Sequence, residues 1–402
     1  MVPVLLWFWL QAANPHAAGL KALDAQDYPA AVALFQQAVA QDPEEYGAHF
    51  HLALALSLAG QRDAAVEAYR KVLLLKPGLY EAELNLGILL LDAKRAADAV
   101  PLLAAAVEKK PDQFRPRFYL AEACLETNDL ASAERHYQEA VRLDPKAPGA
   151  ALGLGRTLAR QKRLGDAAPY YHRAADLDPG YRDALLELAA LYEQAKYREE
   201  AIAIYRQFPD LLAARERIGQ LLLQGNQAAE AIPELEKAVA RDPTAANRAA
   251  LADAYRRDGQ TAKALDQLQR ATAAEPRDFN LRMTYGILLR EQKRYAQAAR
   301  EFLEAARLRP DSKEAWSELA GMLTLVEDYP QALAALDRVA ALGAEAPGHL
   351  FFRAIILDKT RQYQPALDAY QRFLAAAGGQ FPDEEFQARQ RIRIIKKELS
   401  RR

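Results

Sequence analysis

Residues 80–111, YEAELNLGILLLDAKRAADAVPLLAAAVEKKP, hold the pattern that decides the fold. Good helix formers fill the stretch, with apolar residues three and four apart, and a proline that restricts its neighbour ends it. A break at Lys94 and Arg95 divides it into helix A, near Tyr80 to Leu91, and helix B, about Ala97 to Lys109. Working outward, the alanine at Ala99 returns every 34 residues at Ala31, Ala65, Ala133, Ala167 and Ala201, and then at Ala231, Ala264, Ala298, Ala332 and Ala366. Twelve positions before each lies another small residue: Gly19, Ala53, Gly87, Ala121, Gly155, Ala189, Gly219, Ala252, Gly286, Ala320 and Ala354. Small residues at two fixed points allow two helix backbones to approach closely. The chain therefore reads as a periodic array of antiparallel helical hairpins.

Four residues after each repeated alanine comes Phe35, Tyr69, Leu103, Tyr137, Tyr171, Tyr205, Leu235, Leu268, Phe302, Leu336 or Tyr370, on the same helix face. Most units close on a proline, such as Pro43, Pro77, Pro111, Pro145 and Pro179. The order of small residue, alanine, bulky residue and proline over 34 positions resembles the tetratricopeptide repeat. Asn85-Leu86-Gly87, Leu90, Ala99, Leu103, Ala106 and Pro111 carry the resemblance, as do Leu154-Gly155, Leu158, Ala167, Tyr171, Ala174 and Pro179. It covers roughly residues 14 to 375, and the family's tryptophan near the start of helix A occurs only as Trp316. The resemblance implies an all-α, right-handed superhelical solenoid of about eleven stacked hairpins, with a concave groove lined by the A helices.

A solenoid grows by stacking neighbours, so 402 residues can form one extended array, here expected over 14–379. Lys and Arg number 53 against 54 Asp and Glu, a net charge of −1, which argues against nucleic acid as the main partner. Val2 to Leu10 is apolar but too short for the roughly 20 residues of a membrane span, so no integral span is expected. Residues 1–13 resemble a secretory signal core with small residues at Ala12 and Ala13, although no lysine or arginine precedes it. Export, for instance to a periplasm, is favoured over an apolar cap on the first hairpin. Residues 380–402 read as a capping helix, with Phe386, Ile392, Ile395 and Leu399 on its apolar side beside Arg389, Arg391, Arg393, Lys396 and Lys397.

Two irregularities stand out. Ala201 to Ala231 is 30 residues, four short, which predicts about one turn missing from the B helix ending near Phe208 and Pro209. Pro101, Pro169 and Pro233 lie two residues after the repeated alanine, where proline is tolerated only within a first turn. Either those helices begin later than the register suggests or they bend.

Chemistry is sparse. His16, His49, His51, His136, His172 and His349 are scattered, and His49 and His51, at i and i+2, point to different sides of a helix, which argues against a metal site. Cys124 stands where other units carry Leu90, Leu158 or Leu222, the place of a packing thiol. No phosphate loop, nucleophile elbow or zinc-binding helix motif is present, so neither catalysis nor a cofactor is expected.

Function is then expected in the groove. Counting from each small residue, its wall comprises Phe50, Leu54, Leu84, Asn85, Ile88, Phe118 and Tyr119 with Arg115 nearby, and it becomes charged at Glu122 and Arg156. Aromatic and arginine side chains anchor partners, and an extended or helical segment could lie along them; packing of Phe50 and Phe118 against neighbouring hairpins is the competing reading. Some family members grip a partner's terminal carboxylate with basic and amide residues from three A helices. Here Asn85 and Arg115 fit, but Phe50, Leu54 and Tyr119 do not. The expectation is a non-catalytic scaffold binding a protein or peptide segment, within a bacterial envelope assembly. The alternative is an accessory subunit recruiting an enzyme such as a polysaccharide or glycan synthase. The sequence leaves the oligomeric state open.

Overall fold

A computed structural model describes residues 14–400; the stretch from Val2 to Leu10, Arg401 and Arg402 lie outside them. Two compact units divide the chain, Met1–Ile204 and Tyr205–Arg402. In the first, the hairpins are α1 (Pro15–Asp24) with α2 (Tyr28–Gln41), α3 (Tyr46–Leu58) with α4 (Arg62–Leu75), and α5 (Tyr80–Asp92) with α6 (Ala96–Lys109). They continue as α7 (Phe114–Glu126) with α8 (Leu130–Leu143), α9 (Pro148–Arg160) with α10 (Leu164–Leu177), and α11 (Ala184–Gln194) with α12 (Arg198–Tyr205), whose last residue opens the second unit. The second unit pairs α13 (Leu212–Gln224) with α14 (Ala228–Arg241), α15 (Ala245–Arg257) with α16 (Thr261–Ala274), and α17 (Phe279–Glu291) with α18 (Tyr295–Leu308). It ends with α19 (Lys313–Leu325) and α20 (Tyr329–Ala341), α21 (Pro347–Lys359) and α22 (Tyr363–Ala377), and a single helix α23 (Pro382–Leu399). Among the described residues the fold is thus eleven hairpins and an end helix, with no strand.

The register alanines are why the hairpins close. All eleven are fully buried. Opposite them, where the small residue of the A helix is glycine, it lies against the bulky residue of its B helix: a Cβ on Gly87 would lie 2.6 Å from Leu103 Cγ, one on Gly219 2.5 Å from Leu235 Cδ2, and one on Gly286 2.7 Å from Phe302 Cε1. Such distances leave no room for a methyl group, so the two repeated features are the halves of one contact.

The turns are equally regular. One residue per A-to-B turn has a left-handed backbone: Gln26, Gly60, Lys94, Asn128, Lys162, Lys196, Asn226, Gly259, Lys293, Glu327 and Arg361. The amide after it closes the preceding helix, as Arg95 N does on Leu90 O at 2.8 Å, in the manner of a Schellman motif. Glycine, the residue best suited to this conformation, fills the place only twice.

Several expectations are corrected. The shortened B helix, α12, has 8 residues against 14 in α10 and stops at Tyr205 rather than near Phe208, a loss closer to two turns than one. Helices α6, α10 and α14 begin no later than the register suggests, so Pro101, Pro169 and Pro233 lie inside them, beyond the first turn. Each proline is exposed, and so is the residue four earlier, Ala97, Gly165 or Ala229, whose carbonyl loses its donor and can take one from water. On α23, Ala388 and Ile395 are buried against the last hairpin while Phe386 is 60% exposed, so Phe386 does not belong to the covered face. Cys124 is a buried packing residue, and burial pushes its thiol up to about 11.

Candidate functional site

Within the first unit the A helices of successive hairpins touch, α5 on α7 and α7 on α9. Three register positions on them carry the expected groove residues. Phe50, Leu84 and Phe118 share one position; Leu54, Ile88, Glu122 and Arg156 a second; Asn85, Tyr119, and further on Gly153 and Glu187, a third.

The first position is largely packing. Leu84 is buried. Phe50 is half-buried with its ring edge-on to Tyr69 at 5.8 Å, and Phe118 stacks on Phe114 at 5.5 Å and approaches Tyr137 at 6.2 Å and the next hairpin at Gly149. The second is the accessible one: Leu54, Ile88 and Glu122 are half-buried and Arg156 is exposed. Tyr119 is half-buried, and the exposed Arg115 places its guanidinium 5.9 Å from that ring, a cation–π contact.

The third position answers a demand set by the core. Tyr69, Tyr137 and Tyr171 are fully buried, and a buried hydroxyl must find a partner. Asn85 Nδ2 donates to Tyr69 Oη at 3.2 Å, and Tyr171 Oη donates to Glu187 Oε1 at 2.8 Å. Between them the series reads Gly153, which has no side chain to offer, and Tyr137 donates back to Glu122 instead. Burial pushes the Tyr69 hydroxyl up to about 12 and raises those of Tyr137 and Tyr171 further. Burial also raises the Glu122 carboxyl, against the opposing Tyr137 hydrogen bond and Arg156 charge.

These rungs frame an open cavity of about 450 Å³, lined by Glu122, Leu125 and Glu126 of α7, Arg156, Ala159 and Arg160 of α9, Tyr171 of α10, and Glu187 and Leu191 of α11. Arg156 pairs with Glu187, Nη2 to Oε2 at 2.8 Å, and this hydrogen bond holds the guanidinium charged. Arg160 Nη1 donates to Leu125 O at 2.8 Å, and Lys94 Nζ lies 3.2 Å from Glu126 Oε1. Two arginines and three carboxylates beside apolar walls can hold a polypeptide through charge and shape. Among the described residues no group of three or more His, Cys, Asp or Glu side chains is placed to hold a metal ion.

The structure brings Glu122 and Arg156 into this cavity and leaves Phe50, Leu54, Asn85 and Ile88 on earlier hairpins. Asn85 gives one of its two amide N–H groups to Tyr69, so part of its hydrogen-bonding capacity serves the core. Arg160 and Glu126 were recoverable from sequence, since each lies four residues after a recognised member and i, i+4 residues share a face. His49 and His51 do face apart: His49 Nε2 meets Pro43 O at 3.0 Å, while His51 Nδ1 meets His16 Nε2 at 2.9 Å across the first two hairpins.

Helical hairpins stacked in a 34-residue register define a helical-repeat protein, and its relatives place it further. The tetratricopeptide repeat family matches residues 16–82, 84–148, 120–182, 152–211, 249–322 and 326–381, and a second profile of the same description matches 212–244. The chain belongs to the tetratricopeptide repeat family. It is similar to the type IV pilus assembly protein PilF of Pseudomonas aeruginosa, 32% identical over 163 residues, which is 40% of this chain and 64% of that protein. The match therefore spans just under two thirds of the relative's length. Among solved structures it overlaps MamA from Desulfovibrio magneticus RS-1, at TM-score 0.40 and 23% identity over 41% of this chain and 94% of that one. It also overlaps YrrB, described as a TPR protein with an unusual peptide-binding site, at TM-score 0.40 and 18% identity over 46% and 90%. No helix of the described residues is long and apolar enough to cross a membrane.

Proposed function

We propose that this protein is a non-catalytic scaffold that holds an extended segment of a partner protein along the A-helix face of its first unit, in an assembly of the bacterial envelope. The observation that carries the reading is the cavity beside Glu122, Arg156 and Arg160: it opens at the register position that reads Leu54, Ile88, Glu122, Arg156 along the helices. The packing positions repeat from hairpin to hairpin, whereas this one varies, and a variable, accessible series is what selects a particular partner. Membership of the tetratricopeptide repeat family supports protein binding, and the similarity to a pilus assembly protein supports an envelope setting.

Site-specific photocrosslinking at Ile88 and Tyr119 in cells of the source organism tests it. A discrete partner adduct that disappears when Arg156 and Arg160 are both changed to alanine is expected. No adduct, or equal yield from that variant, refutes the assigned face. Mass spectrometry of the mature N-terminus tests the export that an envelope role requires.

A further inference from the structure

The second unit contains a separate cavity of about 490 Å³ between the last hairpin and the end helix, which includes Asp358, Lys359, Arg361, Tyr370, Gln387 and Arg391 in its lining. Its electrostatics are unbalanced. Asp358 is buried with both oxygens engaged: Arg391 Nε donates to Oδ2 at 2.6 Å, Arg391 Nη2 to Oδ1 at 2.8 Å, and Tyr370 Oη to Oδ2 at 3.3 Å. Among the described residues Arg391 Nη1 has no acceptor. Among the described residues the side chains of Lys359 and Arg361 form no ion pair or hydrogen bond, so with Asp358 neutralised by Arg391 the lining keeps two unpaired cations.

Arg361 holds the same left-handed turn position as Lys94, and Lys94 pairs with Glu126 on the A helix of the following hairpin. The helix that follows the last hairpin is α23, which lines the cavity with Gln387 and Arg391 and brings no carboxylate to it. On α23, Ile394, 45% exposed, lies one turn from Arg391, and Phe386, 60% exposed, directly precedes Gln387.

We propose that this cavity binds a carboxylate-bearing peptide segment, an acidic side chain or chain terminus seated on Lys359, Arg361 and Arg391 Nη1 with a neighbouring large apolar residue on Ile394 and Phe386. A free phosphate would satisfy the cations and leave the apolar surface uncovered. The site is independent of the first unit's A-helix face.

The test uses the full chain and a fluorescein-labelled peptide of alternating glutamate and leucine, with its glutamine counterpart as control, read by anisotropy. The expected result is binding of the glutamate peptide that weakens with salt, at least about tenfold weaker binding of the glutamine peptide, and a similar loss when Lys359 and Arg361, both exposed, are changed together to alanine. A circular dichroism spectrum unchanged by the double substitution checks that it folds. Equal binding of both peptides, an unaffected double variant, or complete displacement by inorganic phosphate at the peptide's own concentration overturns the proposal. Amidating the peptide terminus assigns the carboxylate: unchanged affinity supports a side-chain donor, and loss supports the terminus. Changing Arg156 and Arg160 to alanine leaves this binding intact, which separates the outcome from that of the crosslinking experiment.

Discussion

Gly153→Ala and Gly165→Ala, two identical changes within one hairpin, are expected to move stability in opposite directions. A Cβ on Gly153 would lie 2.2 Å from Cε1 and 2.3 Å from Cζ of Tyr137, a ring that is fully buried. Ordinary carbon contacts are about 3.5–4 Å, so the ring or the α9 backbone must retreat by more than an ångström. Overpacking of this kind costs about 1–3 kcal/mol, and displacing the ring also weakens the Tyr137–Glu122 hydrogen bond, worth about 1 kcal/mol or more because the acceptor is charged. Replacing a helical glycine by alanine returns about 1 kcal/mol, for a net loss of about 2 kcal/mol. A Cβ on Gly165 meets nothing within 4 Å, so that substitution keeps only the backbone gain, about 0.5–1 kcal/mol. Urea unfolding followed by circular dichroism reads both. A Gly153→Ala protein as stable as the parent refutes the close contact, and a destabilised Gly165→Ala refutes the reading of an open helical site.

Three further outcomes follow from the same geometry. Lys293→Gly relieves a left-handed backbone at φ 57° and is expected to stabilise the second unit by about 1 kcal/mol in the same urea assay, where no gain contradicts the assignment of strain. Burial raises the Tyr69 hydroxyl from 10 to about 12, so its contribution is complete below pH 10 and falls by about 3 kcal/mol as pH rises from 10 to 12; alkaline unfolding is expected to shift to higher pH in Tyr69→Phe. Burial, then the Arg135 and Arg117 charges, lowers His136 to about 4, so the unfolded chain binds the extra proton between pH 6.5 and 4 and stability is lost as pH falls through that window. The loss is about 1–2 kcal/mol after allowance for solvent screening, and a His136→Gln protein that keeps the whole slope excludes it.

The hairpin array was legible because its determinants recur. Ala99 and Gly87 each have ten counterparts, and repetition turns a weak local preference into an unambiguous register. What sequence could not supply was the identity of the contacts between helices. The pairing of Gly87 with Leu103 links two repeated features that the register alone leaves separate, and the partner of His51 is not its neighbour His49 but His16, 35 residues away. The apolar character of Phe386 suggests the covered face of α23, yet the helix turns Ala388 and Ile395 inward. Pro101, Pro169 and Pro233 misled for a different reason: the cost of an interior proline depends on whether the freed carbonyl meets water, and exposure is not written in the register.

The candidate site lies where periodicity fails, and the tyrosine rungs show how a strict repeat generates a particular surface. Tyr69, Tyr137 and Tyr171 occupy one register position and impose one requirement, a partner for a buried hydroxyl. Asn85 meets it with an amide and Glu187 with a carboxylate, each from the following hairpin, whereas Gly153 meets it with nothing and the hydroxyl turns back to Glu122. That one glycine changes which A helix supplies the acceptor. Glu187 is also paired with Arg156, so the choice of acceptor at one rung fixes where a guanidinium sits at the mouth of the cavity. Changing Gly153 to asparagine would offer the Tyr137 hydroxyl a competing partner only if its Cβ could be accommodated, and the 2.2 Å approach forbids that. The residue opposite each core tyrosine therefore decides which A helix supplies its acceptor and, through Glu187, where the Arg156 guanidinium sits beside the cavity.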